Sequence, residues 1–293
     1  MGSRRAGRET LMQVQHDGMV NDGSDLVILS QHLPSSPYGR FAKTVKGATA
    51  KLFQARSDKS AWTRGMSVLA LAGACAVFVA HFLDGVSVAW GRESESLIAS
   101  WLAELSPAGK FHWYMIPALA GLLWAAFADW SARDRRGRGR LSLLYAQSAF
   151  ALNTLLITFV TNNILKVVIG RARPRHFAEH GAAYFEPMTA GYDFASFPSG
   201  HATACGTVAA ILIIWFPRWF VPVLLVFLAI AISRVAAGAH YPSDVAAGFF
   251  FGFLVTLFIA RWLAVRRLGF RLQPGRLLPR LRHFQAMRAE PAK

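Results

Sequence analysis

The sequence predicts an all-α, integral-membrane bundle of six transmembrane helices, and three observations carry that prediction. Of its 293 residues 54% are hydrophobic and only 16% charged, against about 25% charged in an ordinary soluble domain. Six apolar runs follow one another, at about 66–83, 113–130, 141–165, 201–216, 219–236 and 245–265. The arginines are placed asymmetrically along them. At about 1.5 Å rise per residue, runs near 20 residues cross a hydrocarbon core about 30 Å thick. The fourth run is short and needs residues 197–199 or a thin, tilted arrangement to span.

Residues 1–60 precede the runs and are rich in Gly, Ser, Asp and Arg. They read as a mostly disordered cytoplasmic segment, with a short surface helix expected near 41–53. The opening residues do not fit a myristoylation pattern, and Arg4-Arg5 lies too far from the first apolar run for an export signal. Residues 61–268 form the membrane domain, and 269–293 read as a basic cytoplasmic tail.

Arginine placement orients the bundle. Five arginines crowd the 131–140 loop and eight more, with Lys293, follow from Arg261, whereas the 84–112 connection has Arg92 and Lys110 against four acids. With a cell inner membrane as the expected location, the positive-inside rule then puts both termini in the cytoplasm. It also explains the net charge of +16 through lipid contact rather than nucleic acid. Within the outer connection, Leu97, Ile98, Trp101, Leu102 and Leu105 against Glu95 and Glu104 read as a short amphipathic helix on the outer face. Cys75 and Cys205 sit in apolar runs and indicate neither a disulfide framework nor a thiolate metal site.

One outer segment breaks the charge rule. Lys166, Arg171, Arg173 and Arg175 follow the third run, and Arg234 joins them from the fifth. Positive charge on the disfavoured side is best explained by a site for an anion. Lys166 and Arg173 are seven apart, so one continuous helix ended by Pro174 would aim both the same way. Alone, that spacing reads equally as snorkelling cations. Pro198-Ser199-Gly200-His201 opens the fourth run as a helix N terminus whose amides suit an anion; alone, it reads as an ordinary cap. Arg234, His240 and Asp244 lie where the fifth run gives way to the sixth. Such ionisable groups are read first as functional, although an interfacial salt-bridge cluster would use the same residues.

Together these pieces offer cations, a helix N terminus and two histidines, one near a carboxylate. No carboxylate cluster points to a bound metal, and no cofactor is expected. The combination favours metal-independent phosphoryl transfer through a histidine.

Lys166-x6-Arg173-Pro174, Pro198-Ser199-Gly200-His201 and Ser233-Arg234-x5-His240-x3-Asp244 resemble the three-part signature of the type-2 phosphatidic acid phosphatases, within the acid phosphatase and vanadium haloperoxidase superfamily. The resemblance covers about residues 66–265. It implies that His240 attacks phosphorus, Asp244 orients it, and His201 protonates the leaving oxygen and later activates water. Lys166, Arg173, Arg234, Ser199 and Gly200 would hold the phosphate oxygens. Candidate substrates are phosphatidylglycerophosphate, phosphatidic acid, undecaprenyl pyrophosphate and the phosphates of lipid A. Arg171, Arg175, His176 and Tyr184 are candidate head-group contacts, with interfacial anchoring as their alternative role. The expected partners are the lipid substrate and the bilayer, with no nucleic acid and no obligate protein partner. The competing function is a transporter that binds phosphorylated head groups without cleaving them. Gly248-x3-Gly252 permits close helix packing, within or between chains.

Overall fold

The computed structural model describes residues 60–93 and 97–281. The disordered segment and surface helix expected before residue 60, and residues 282–293 of the tail, lie outside these. The helices in chain order are α1 (Arg64–His81), α2 (Asp84–Glu93), α3 (Leu97–Glu104), α4 (His112–Phe127), α5 (Arg135–Ile169), α6 (Phe177–His180), α7 (Gly200–Trp215), α8 (Phe220–Ala236) and α9 (Pro242–Val265). Among the described residues, four segments are long and apolar enough to cross a membrane: 64–81, 135–169, 217–236 and 242–265. Helices α4 and α7 match the second and fourth apolar runs but have 16 residues each. Length and composition alone therefore support four spans among the described residues; the other two of the six expected would fall to the shorter α4 and α7.

The short α7 is explained by where it packs. Twelve of its residues are buried, because α5, α8 and α9 surround it. Its contact with α9 is backbone to backbone. A Cβ on Gly248 would stand 2.4 Å from the Ser199 carbonyl oxygen, and one on Gly252 2.2 Å from that of Thr203. The small-residue pair thus closes a helix contact within one chain. Polar pairs join α7 to α5: Thr203 Oγ1 donates to Asn162 Oδ1 at 2.8 Å, and the Thr207 and Thr158 hydroxyls meet at 3.2 Å. Around this seam, Leu155, Ala202, Cys205, Val208, Phe227, Val245 and Phe249 form one apolar cluster. Large side chains such as Val68, Phe78, Trp124 and Val221 are exposed on the outer helices.

Two boundaries differ from the sequence reading. Four arginines of the 131–140 loop lie on the first turns of α5, whose N-cap Asp134 accepts from the Gly137 amide at 2.7 Å. At 35 residues, α5 is about 50 Å long, so it extends well past a hydrocarbon core. Its other end is set by Gly170, not Pro174. Gly170 is left-handed, with φ +62°, and a Cβ there would fall 1.8 Å from the Glu186 carbonyl oxygen.

The fold is not purely helical. Strands β1 (Phe270–Arg271) and β2 (Arg280–Leu281) pair antiparallel within the segment assigned to the basic tail. Phe270 and Leu281 pack with Phe150, Ile211 and Ala260, so part of that segment belongs to the core.

Candidate active site

Four loops and helix ends build the site. Helix α5 ends by delivering Lys166, and Gly170 turns the chain so that Arg171 and Arg173 leave it in extended backbone rather than on a common helical face. A cis Phe197–Pro198 bond precedes Ser199, the N-cap of α7. The Ser199 amide donates to the Asp244 carbonyl at 3.0 Å, which ties the start of α7 to the first turn of α9. A Cβ on Gly200 would lie 3.8 Å from Lys166 Cε, so the amino group of α5 and the N terminus of α7 meet.

His240 is 3% exposed, with Nδ1 3.6 Å from Asp244 Oδ2. That is beyond hydrogen-bond length, and close enough for a small shift to form one. Asp244 is fully buried, and its carboxylate is held from both sides. Oδ1 accepts from Arg171 Nη1 at 2.6 Å; Oδ2 accepts from Ser196 Oγ at 2.6 Å and from the Tyr241 amide at 3.0 Å. Burial pushes the His240 pKa down to about 4. Asp244 opposes that shift, while Lys166 and Arg173 add to it. The imidazole is therefore neutral near pH 7.

His201 lies within electrostatic range of Arg234, His240, Lys110 and Lys166, so both histidines and the cations lie in one neighbourhood. Arg173 donates to the carbonyls of Tyr192, Ala239 and Ala195, and its guanidinium lies 3.8 Å from the Tyr192 ring centre. Lys166 also donates to the Ala195 carbonyl, and Arg234 bonds the Ser106 hydroxyl. His201 Nε2, Arg234 Nε and His240 Nδ1 are buried without a hydrogen-bond partner. Buried polar atoms normally find one; Asp244 stands beside His240 Nδ1, whereas His201 Nε2 and Arg234 Nε are poised to engage a polar ligand. His240 also lines a cleft of about 260 Å³ with Pro174, Arg175 and Val235.

The four candidate head-group contacts separate. Arg171 is 2% exposed and faces inward, contrary to the lipid-facing setting expected of it. Its Nη1 bonds Ser243 Oγ and Asp244, its Nη2 bonds Asp84 Oδ2 at 2.7 Å, and Nε and Nη2 both donate to the Ala182 carbonyl. No donor remains for a head group. Arg175, His176 and Tyr184 stay at the surface. Arg175 pairs with Asp193, His176 Nε2 approaches the same carboxylate at 3.2 Å, and Tyr184 stacks on His180 at 4.3 Å.

Three partners escaped the sequence reading: Ser196, Ser106 and Asp84. Asp84 had a usable signal, since an acid at the end of an apolar run is read as functional by the rule applied to Asp244.

Comparison with known proteins finds relatives for the segment that carries these residues. Residues 147–268 match the PAP2 superfamily. Lipid A 1-phosphatases of Rhizobium etli and Rhizobium johnstonii are each 38% identical over 142 residues, covering 48% of this chain and 61% and 58% of theirs. An undecaprenyl-diphosphatase of Sulfolobus acidocaldarius is 35% identical over 104 residues, covering 34% of this chain and 48% of its own. The chain thus spans about three fifths or less of these relatives. A PAP2-type phosphatidylglycerolphosphate phosphatase from Bacillus subtilis aligns with a TM-score of 0.39 at 18% identity, over 66% of this chain and 93% of that one. Every residue of the three-part signature falls inside residues 147–268, the segment that matches the PAP2 superfamily.

Proposed function

We propose that this protein is a metal-independent lipid phosphatase, with six spans, both termini cytoplasmic and its site at the outer face of the inner membrane. The observation that carries the reading is the convergence of His201, Arg234 and His240, each with a buried unpartnered nitrogen, beside Lys166 and Arg173.

With Asp244 beside Nδ1, His240 is held as the Nδ1–H tautomer and Nε2 is the nucleophile. Nε2 attacks phosphorus as the bond to the lipid oxygen breaks, and His201 donates a proton to that oxygen. The phosphohistidine is then attacked by water, whose proton passes to His201, and inorganic phosphate leaves. Lys166, Arg173, Arg234, Ser199 and the α7 amide at Gly200 stabilise the equatorial oxygens as charge spreads. The buried carboxylates favour metal independence: Asp84 and Asp244 are both bonded to Arg171, so this acidic pair is already compensated by a cation.

Among the candidate substrates, a lipid A phosphate is favoured by the two relatives at 38% identity. Surface groups Arg175, His176 and Tyr184 remain candidates for reading its head group. The amphipathic helix proposed for the outer face corresponds to α3, whose Leu97 and Trp101 are exposed. The test is phosphate release by purified protein from lipid A, phosphatidylglycerophosphate, phosphatidic acid and undecaprenyl pyrophosphate. Release fastest from lipid A is expected. Binding of all four without release would favour the transporter instead.

A further inference from the structure

Behind Asp244 stands a second buried carboxylate. Asp84, the first residue of α2, is fully buried. Its Oδ2 accepts from Arg171 Nη2 at 2.7 Å and Ser243 Oγ at 2.6 Å, and lies 3.0 Å from His81 Nδ1; its Oδ1 accepts from the Ser243 amide at 3.0 Å. Arg171 reaches Asp244 Oδ1 with its other terminal nitrogen, which also donates to Ser243 Oγ at 2.7 Å. Three distant parts of the chain, at α2, the segment after α5 and α9, thus meet on one guanidinium.

We propose that Asp84 and Arg171 are positioning residues for the phosphoryl transfer, setting both the direction and the charge of Asp244; this rests on the phosphatase reading above. Direction follows from the bonds. With Oδ1 pinned by Arg171, and Oδ2 by Ser196 and the Tyr241 amide, the carboxylate cannot turn away from His240 Nδ1. Charge follows from sharing. One cation bonded to two carboxylates neutralises neither fully, so Asp244 keeps acceptor strength for Nδ1–H. With Asp84 neutral, the whole guanidinium charge would fall on Asp244 and weaken that bond. Stability alone does not account for the arrangement, since buried ion pairs are often matched or bettered by apolar residues of similar volume. Their value here lies in a fixed geometry at the catalytic end.

The test is a double-mutant cycle on the full-length chain in detergent, using nitrophenyl phosphate and rapid quench of the phosphoenzyme. Asp84→Asn should slow phosphoenzyme formation about 10–100-fold, the cost of a small misplacement of a reacting group, with KM changed less than about twofold. In an Asp244→Asn background the same substitution should cost less than about threefold, because its route of action is gone. An unchanged rate, or the same loss in both backgrounds, overturns the proposal. Should Asp84→Asn not fold, Ser243→Ala removes the hydroxyl between Asp84 and Arg171, and the same cycle applies with a loss of about tenfold. A readout free of turnover is the ¹⁵N spectrum of His240, identified by its absence in His240→Gln. Asp84→Asn should convert a single Nδ1–H tautomer into a mixture. If lipids are not hydrolysed but the tautomer shifts, the positioning role stands and the phosphatase reading falls. If lipids are hydrolysed and the tautomer does not shift, the positioning role falls alone.

Discussion

Gly248→Ala adds one methyl group at the contact between α7 and α9 and should disable the site. The added Cβ would stand 2.4 Å from the Ser199 carbonyl oxygen, about 1 Å short of ordinary van der Waals contact, with Thr203 Oγ1 at 3.1 Å and Ala202 Cβ at 3.2 Å. The nearest obstacle is backbone, so no rotamer change relieves it; α7 and α9 must part by about 1 Å. That movement acts directly on the chemistry. Ser199 caps the helix that carries His201, and its amide bonds the Asp244 carbonyl at 3.0 Å. Parting the helices therefore separates His201 from His240, the proposed proton donor from the proposed nucleophile. Misplacement by about 1 Å can cost about 100-fold in rate, equivalent to about 2.7 kcal/mol. Overpacking should lower stability by about 1–3 kcal/mol.

The control is Gly139→Ala, the same substitution on the first turns of α5, where a Cβ meets nothing within 4 Å. It should leave activity unchanged and strengthen the helix by up to about 1 kcal/mol. The assay is kcat for nitrophenyl phosphate, with thermal unfolding followed in parallel below the transition. Wild-type activity in folded Gly248→Ala would refute the reasoning, because it would mean that the contact between α7 and α9 does not set the site.

The remaining predictions concern the chemistry. His240→Ala should form no phosphoenzyme. His201→Ala, with an activated nitrophenyl substrate that needs little protonation, should accumulate acid-labile phosphohistidine; the opposite pattern would reverse the two roles. With its pKa pushed down to about 4, His240 stays neutral as pH falls from 6.5 and loses nucleophilicity only as pH passes through about 4. The acid limb of phosphoenzyme formation, corrected for substrate ionisation, should lie there, and a limb near the ordinary imidazole value of about 6.5 would contradict the burial argument. Activity should survive EDTA and be suppressed by vanadate, which adopts five-coordinate geometry at His240; loss in EDTA restored by magnesium would exclude the mechanism. A cysteine placed at Gly181 should react with an impermeant label from outside, and one in 131–140 only after the cytoplasmic side is opened; the reverse would invert the proposed orientation.

What the sequence made legible was chemistry carried by residue type and spacing. His201, His240, Asp244, Lys166, Arg173 and Arg234 announce themselves because ionisable side chains at the ends of apolar runs are costly unless used. What it concealed depends on contacts between distant segments. Arg171 stands between two basic neighbours and reads from sequence as a head-group contact or an interfacial anchor. Its inward course is set by the left-handed turn at Gly170 and by carboxylates 73 and 87 residues away. The turn was hidden by Pro174, a stronger helix breaker on paper, although only glycine fits beneath the Glu186 carbonyl. Asp84 was counted merely as an acid among four in an outer connection, because charge counting weighs a loop as a whole and is blind to one buried member. The fourth apolar run shows the same limit. Its length argued against spanning while its burial could not be foreseen, since a helix enclosed by α5, α8 and α9 has no need of a full lipid-facing surface. Spacing along a chain therefore marks the candidates for chemistry, whereas the residues bonded to them become visible only when the chain closes upon itself.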